Sequence, residues 1–334
     1  MNYVYYIGID VSKKTLDFTV LQGKCQLFHL QTSNCPEGIK DIMKQLKNQQ
    51  GFKLEYSVFC LEHTGIYNQH LLDFLFKKKA NICLELAVNI KGSSGLQRGK
   101  NDKIDSLRIA QYAYKNREDL KLWQPKREVV RQLGHLSGVR RRLINAKKQL
   151  TLAVKESEGF DKVAARQMQK LCKSSIDRLE KDIEKTEKAI DEVIASDKSL
   201  NRLFKIVTSV EGIGKITATE IIVTSNEFKN ISCPKKFACY AGVVPFEHKS
   251  GTSIKGKPRI SNKANKSVKT LLHMSALTAI CYNEDLKKYY ERKVKENKNK
   301  MLIINAVRNK LLQRIYACVR ENRLYQKKYD FGLA

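Results

Sequence analysis

Four acids in the first third of the chain have the types and settings to do chemistry together. They are Asp10 in YVYYIGIDVS (3–12), Glu62 in YSVFCLEHTG (56–65), and Asp102 with Asp105 in KNDKIDSLRIAQYA (100–113). Asp10 and Glu62 each close a short apolar run rich in Val, Ile, Tyr and Phe, the pattern of a buried strand. Asp102 and Asp105 open an amphipathic stretch (Ile104, Leu107, Ile109, Ala110, Ala113) that reads as a helix, and three residues apart they share one of its faces. Two strand ends and one helix start can bring four carboxylates together. Like charges at short range raise one another's pKa, and hard divalent cations that favour oxygen ligands, Mg²⁺ or Mn²⁺, are the usual compensation. Plainer readings exist: Asp10 as a capping or phosphate-site residue, Asp102 as a helix cap, Asp105 as a first-turn charge. Glu62, followed by the turn Thr64-Gly65, is the hardest to explain as structure.

The elements that must position these acids can be read in order. Residues 3–9, 15–21 and 25–31 read as strands, the last two joined as a hairpin by Gln22-Gly23-Lys24. A helix follows over 36–48, with Pro36 near its start and Ile39, Ile42, Met43 and Leu46 on one face. Then come a strand at 56–61, a helix near 68–79, a strand near 83–87 and the helix from 103. The order βββ-α-β-α-β-α is that of an RNase H-like domain. The Gly/Ser-rich basic segment 89–101 reads as a loop leading the last two acids into place.

Charge bounds the partners. The 334 residues carry 63 Lys plus Arg against 34 Asp plus Glu, a formal +29, which points to a polyanion. No apolar run approaches the length of a membrane span and no signal precedes the first strand, so the expectation is a cytoplasmic protein without a membrane partner. The nine Cys form no CxxC and no zinc-like spacing, and read as reduced core thiols.

From about 126 to 200 aromatics nearly vanish. Val129, Leu133, Leu136, Val139, Leu143, Ala146, Leu150 and Val154 keep one heptad-like seam, and Cys172, Ile176, Leu179, Ile183, Thr186, Ile190 and Val193 keep another, with ESEGFD (156–161) between them. Two such helices predict a coiled-coil hairpin, closing on itself or pairing with another subunit. In 203–224 two apolar helical pieces flank Gly212-Ile213-Gly214, a helix-hairpin-helix-like element in which Gly212, Gly214 and Lys215 would grip a nucleic-acid backbone. Residues 229–269 hold ten Lys or Arg and one acid, Glu247, with a loop or hairpin at the centre and a helix from about 264. This hydroxyl- and lysine-rich loop is where a nucleophile is sought, with Lys249, Lys255, Lys257, Arg259 and Lys263 as phosphate contacts. The tail 284–329 reads as basic and helical.

Taken together, GIDVSKKTLD (8–17), LEHTGIYNQHL (61–71), KNDKIDSLRIA (100–110), residues 206–223 and YAGVVPFEHKSG with SNKANKSVKTLLHMSA (240–276) resemble the insertion-sequence-110 family of transposases and its Piv-type invertase relatives. The resemblance runs in order over nearly the whole chain. It departs at Asn101, where the family often has Thr, and at Lys249, where small or polar residues are common. It implies a RuvC-like DEDD catalytic domain over 1–122, a coiled-coil hairpin over 123–200, and a mainly helical C-terminal transposase domain over 201–334. It also implies Asp10, Glu62, Asp102 and Asp105 as metal ligands and a serine nucleophile. The pattern P-x-x-x-x-S-G selects Ser250, with Ser253 and Ser261 as alternatives in the same loop; His248 is a candidate base. Donor and target DNA and a structured non-coding bridge RNA are the partners it implies; because four DNA strands must be handled, a homo-oligomer built through the coiled-coil hairpin, a dimer assembling to a tetramer, is expected. The absence of an RRM signature, a zinc finger or a clear base-reading helix fits specificity delegated to base pairing.

Three rivals remain at this level. A Holliday-junction-type endonuclease would use the same acids with water. A non-catalytic nucleic-acid scaffold would use them structurally. IGIDVS also resembles the first phosphate loop of actin-like ATPases, but the later Gly-rich phosphate loops are missing.

Overall fold

The computed structural model describes residues 3–93, 101–250, 254–260 and 264–327. The chain divides into two compact units, Met1–Pro125 and Lys126–Ala334.

The first unit is built on a mixed five-stranded sheet. Its strands are β1 (Tyr5–Val11), β2 (Thr15–Gln22), β3 (Cys25–Ser33), β4 (Ser57–Glu62) and β5 (Asn81–Glu85), in the order β3-β2-β1-β4-β5. β1–β2 and β2–β3 are antiparallel; β1–β4 and β4–β5 are parallel. The helices are α1 (Pro36–Lys47), α2 (Gln69–Lys77), α3 (Ala87–Ser93) and α4 (Asp102–Lys115). This arrangement is compatible with an RNase H-like domain. One sheet face packs Ile7, Ile9, Leu16, Phe18, Phe59 and Leu61 against Ile39, Ile42, Met43 and Leu46 of α1 and Leu71 and Leu75 of α2. Each such side chain contributes at most roughly 1.5–3 kcal/mol. The other face packs Tyr6, Leu21, Val58, Cys60 and Cys83 against Ile90 of α3 and Ile109, Ala110 and Ala113 of α4.

The segment expected to be loop from residue 89 begins as helix. Ile90 is buried in the sheet core and Ser93 Oγ donates to the Ile90 carbonyl at 2.8 Å, which together hold α3 in shape despite its Gly and Ser. Residues 94–100 lie outside the described part. All nine cysteines are free, but only Cys60, Cys83 and Cys318 are buried, while Cys25 and Cys281 are exposed. The expectation of a set of core thiols therefore holds for three of them.

The second unit is mostly helical. Its elements are α5 (Glu128–Glu158), α6 (Lys162–Ser196), α7 (Lys198–Thr208), α8 (Lys215–Ser225), α9 (Pro234–Tyr240), a two-stranded hairpin β6 (Phe246–Ser250) and β7 (Ile254–Arg259), α10 (Lys266–Tyr282), α11 (Glu284–Lys295) and α12 (Lys300–Arg320). α5 and α6 run antiparallel, since Arg140 pairs with Glu187 and, two turns on, Lys147 pairs with Glu180, both at 2.6 Å. The seam residues Cys172, Ile176, Leu179 and Ile183 are half-buried between them. At their base Leu133, Ile190, Val193 and Ile194 join a core with Val207, Ile221, Leu272, Val307 and Leu311. Arg127 fixes the start of α5, donating to Asp197 at 2.7 Å and to Glu227 at 2.5 Å. Among the described residues no helix is long and apolar enough to cross a membrane.

Candidate active site

Strand register gathers the acids of the first unit. Asp10 on β1 stands opposite Asp17 on β2. Ile9 stands opposite Leu61, which places Glu62 beside Asp10 on the neighbouring strand, and Glu62 stands opposite Glu85 on β5. Because side chains alternate along a strand, these four acids form a row on one sheet face. It is the face that α4 covers. Gly8, two residues before Asp10, lies so close to α4 that a Cβ there would collide with the backbone of Ser106 and Ala110. Thr19 and Ser106 share a buried hydroxyl–hydroxyl bond of 2.7 Å. With Ser106 pinned to the sheet, the first turn of α4 carries Asp102 and Asp105 to the same end. Asn101 caps that turn by accepting from the Lys103 amide at 2.9 Å.

The electrostatics report the convergence. Burial, and then the charges of Asp102, Asp105, Asp17 and Glu62, push the Asp10 carboxyl to about 6. All four expected acids therefore act within one neighbourhood. Asp105 accepts from Arg108 Nη1 at 2.7 Å, and the turn after Glu62 is held by Asn68 Nδ2 donating to the Glu62 carbonyl at 2.8 Å. Among the described residues no group of three or more His, Cys, Asp and Glu stands at metal-holding spacing. The donor set nevertheless fits a hard divalent cation: every donor is a carboxylate oxygen, and the excess negative charge on Asp10 is the kind a cation relieves.

Asp17 and Glu85 complete the row and were not singled out from the sequence. Asp17 is only 3% exposed, and it accepts from Gln31 Nε2 at 3.1 and 3.2 Å and bonds His29 Nε2 at 3.1 Å. The signal lay in the β1–β2 turn: centring it on Lys13-Lys14 pairs residue 10 with residue 17.

The remaining expected residues lie in the second unit. Ser250 ends β6, opposite Ile254, with Lys249 opposite Lys255 and His248 opposite Gly256. Lys257 and Arg259 belong to β7. Ser253, Ser261 and Lys263 lie outside the described residues. Gly212, at φ +93°, meets α10: a Cβ there would lie 2.6 Å from Ala279 Cβ and 2.7 Å from the Ser275 carbonyl. That contact alone requires glycine at 212. Gly214 caps α8 with open space around it, and Lys215 Nζ donates to Asp191 at 2.6 Å.

A five-stranded mixed sheet with Asp10 and Glu62 on the face that α4 covers, and Asp102 and Asp105 in the first turn of α4, is an arrangement compatible with an RNase H-like nucleic-acid enzyme. Comparison with known proteins makes this specific. A model named for the DEDD transposase domain of IS110 matches residues 7–156, and the model "Transposase IS116/IS110/IS902 family" matches residues 204–291. The chain belongs to the IS110 family of transposases and is an enzyme of DNA strand cleavage and rejoining. It is 27% identical to the pilin gene-inverting protein of Moraxella bovis over 97% of this chain and 98% of that protein. It is also 24% identical to a 43.6 kDa protein of insertion element IS110 from Streptomyces coelicolor, over 39% of this chain and 32% of that protein. A probable family 20 transposase of Pseudomonas aeruginosa is 24% identical over 46% of this chain and 45% of its own.

Proposed function

We propose that this transposase exchanges DNA strands through a covalent link to Ser250, with the carboxylates of the first unit assisting. The Ser250 Oγ–H attacks a phosphodiester phosphorus. The P–O3′ bond breaks, an Oγ–P bond forms, the serine proton is lost to a base and the departing 3′ oxygen gains one. Attack by a 3′-hydroxyl of another strand on the phosphoserine reverses the step and restores Ser250. The energy of the phosphodiester is kept in the link, so exchange needs no ATP. A free serine hydroxyl is a weak nucleophile and needs activation.

Asp10, Glu62, Asp102 and Asp105 would hold Mg²⁺ or Mn²⁺. Such ions lower the pKa of an attacking oxygen and neutralise charge on a leaving one. The observation that supports the assisting role of the acids is the strand register that sets Asp10 beside Glu62 under a helix whose first turn carries Asp102 and Asp105. The full-length similarity to proteins named for gene inversion supports the reading. Lys249, Lys255, Lys257, Arg259 and Lys263 would hold phosphates near the serine. The α7–α8 turn, with Gly212, Gly214 and Lys215, would act as a helix-hairpin-helix grip on a backbone.

Four strands must be handled in exchange, so the working form is a homo-oligomer, a dimer assembling to a tetramer. The α5–α6 hairpin is its natural contact, acting as a coiled coil. Its tip leaves Phe160 96%, Val163 76% and Leu171 75% exposed, which supports a partner there. The formal charge of +29 suits a protein that holds a guide RNA with donor and target DNA in the cytoplasm. The three expected domains, 1–122, 123–200 and 201–334, would divide these tasks.

The test is to incubate protein, element DNA and flanking transcript with Mg²⁺ and run a denaturing gel. Wild type leaves protein on a DNA end and Ser250→Ala does not. Undiminished cleavage by Ser250→Ala would favour the endonuclease reading, in which water attacks at the acids alone.

A further inference from the structure

Buried arginines are normally paired with carboxylates, because an unpaired cation loses hydration without compensation. Arg308 on α12 breaks this pattern. It is 4% exposed, and among the described residues no ion pair joins it to an acid. Its Nε is buried without a hydrogen-bond partner. Burial pushes the guanidinium below the usual arginine range, with no carboxylate acting against that push. What it does touch is polar and neutral. One Nη donates to His273 Nδ1 on α10 at 2.5 Å and the other to Asn305 Oδ1, one turn back on α12, at 3.4 Å.

The position matters because of what stands beside it. Asn305 Nδ2 donates to the Val243 carbonyl, at the root of the β6–β7 hairpin. The other root returns beside it, since the Asn265 amide donates to the Tyr240 carbonyl at 2.8 Å. Gly242 lets the two roots close together: a Cβ there would lie 2.5 Å from Ala264 Cβ and 3.1 Å from Ile260 Cγ2. Arg308 thus bridges α12 to α10 beneath the base of the hairpin whose first strand ends in Ser250. An arginine has no acceptor, so His273 Nδ1 must be the acceptor and the ring proton sits on Nε2. Burial, and then the Arg308 charge, hold the imidazole below its usual range and so neutral. His273 is half-buried, and its Nε2–H adds a donor beside the guanidinium.

We infer that Arg308, with His273, is an anion-binding point at the root of the serine hairpin that takes a phosphodiester group of the nucleic acid. A phosphate supplies the missing negative charge to a guanidinium whose Nη groups meet only the neutral partners His273 and Asn305. The inference rests on the reading of this chain as a nucleic-acid recombinase.

The experiment uses full-length protein and Arg308→Gln. Binding of a duplex DNA oligonucleotide is followed by fluorescence anisotropy from about 50 to 200 mM salt, with an RNA hairpin in a parallel arm. The variant is expected to bind roughly tenfold more weakly. Its plot of log affinity against log salt should be shallower by about 0.9 for the duplex, because one phosphate is no longer neutralised. The arm in which the slope falls tells whether DNA or RNA occupies the site. Without nucleic acid, Arg308→Gln should melt no lower than wild type, because it removes an uncompensated buried cation. Inorganic phosphate should raise the melting temperature of wild type and not of the variant. A lower melting temperature with an unchanged salt slope in both arms would make Arg308 purely structural and overturn the inference. Should Arg308→Gln not fold, Arg308→Lys replaces it: the charge stays, the fork is removed, and wild-type affinity in both arms is the overturning result. Wild type binding neither nucleic acid would instead overturn the functional reading itself.

Discussion

Replacing Gly8 with alanine tests how the acids are brought together. The added methyl would meet backbone atoms of Ser106 and Ala110, which cannot swing aside as a side chain can. α4 must therefore move away from β1. Overpacking of this kind costs about 1–3 kcal/mol, and the absence of any rotamer escape argues for the upper end. The shift also stretches the buried Thr19–Ser106 bond of 2.7 Å, worth roughly a further 1 kcal/mol. The functional cost should be larger. Asp102 and Asp105 ride on the first turn of α4, and a displacement of about 1 Å at a catalytic group can cost on the order of 100-fold in rate. The assays are denaturant unfolding, Mn²⁺ titration calorimetry and strand cleavage. Gly8→Ala should lose about 4 kcal/mol, bind Mn²⁺ at least tenfold more weakly and cleave on the order of 100-fold more slowly. Duplex DNA binding should remain within a few-fold, because the proposed phosphate-binding residues lie in the second unit. Wild-type stability together with wild-type Mn²⁺ affinity would refute the packing of α4 on β1 that this account requires.

Further outcomes follow from the same structure. In metal-free protein the Asp10 carboxyl should titrate near 6, and Asp17→Asn or Asp102→Asn should bring it down towards the ordinary range, read by carbon NMR of labelled aspartate. A raised acid favours folding while protonated, so metal-free stability of the first unit should fall as pH rises from about 4 through 6. In the second unit the sign is opposite. Hydrogen bonds from Arg127 hold the Asp197 carboxyl well below its usual range, and for Glu227 burial pushes up but bonds from Arg127 and Lys229 outweigh it. That contribution is present above the ordinary carboxylate range and disappears as pH falls through the depressed values, so Arg127→Gln should remove much of the acid-side slope of the melting temperature. Gly212→Ala should destabilise by about 2–4 kcal/mol in denaturant unfolding, from strain at φ +93° and the collision with Ala279; unchanged stability would contradict the packing of this turn on α10.

The strands were legible because β1 and β4 are apolar runs with an acid at the end, and both ends of that pattern survive in the fold. Asp10 and Glu62 could be named for the same reason, and Asp102 with Asp105 because they open the amphipathic run of α4. Asp17 could not: one acid inside TLDFTVLQ looks like any polar strand position until the register sets it opposite Asp10. α3 was hidden because Gly92 and Ser93 carry loop chemistry, which the burial of Ile90 against the sheet and the Ser93 bond to the Ile90 carbonyl outweigh. Gly212 looked like a phosphate cradle from its neighbours in sequence, but the contact that requires it comes from α10, more than sixty residues away. Arg308 is one basic residue in a basic helix, and its burial becomes visible only when α10 and the hairpin root are in place.

The central claim is that a serine at the end of β6 takes the DNA phosphate while the acids of the first unit assist. Mass spectrometry of the protease-digested protein–DNA adduct tests it most directly. The account predicts a nucleotide mass on the peptide containing Ser250, located at that residue, and no adduct from Asp10→Asn. Finding the nucleotide on Ser253 or Ser261 would move the nucleophile along the loop. Finding strands cut and rejoined with no peptide carrying a nucleotide would contradict the account.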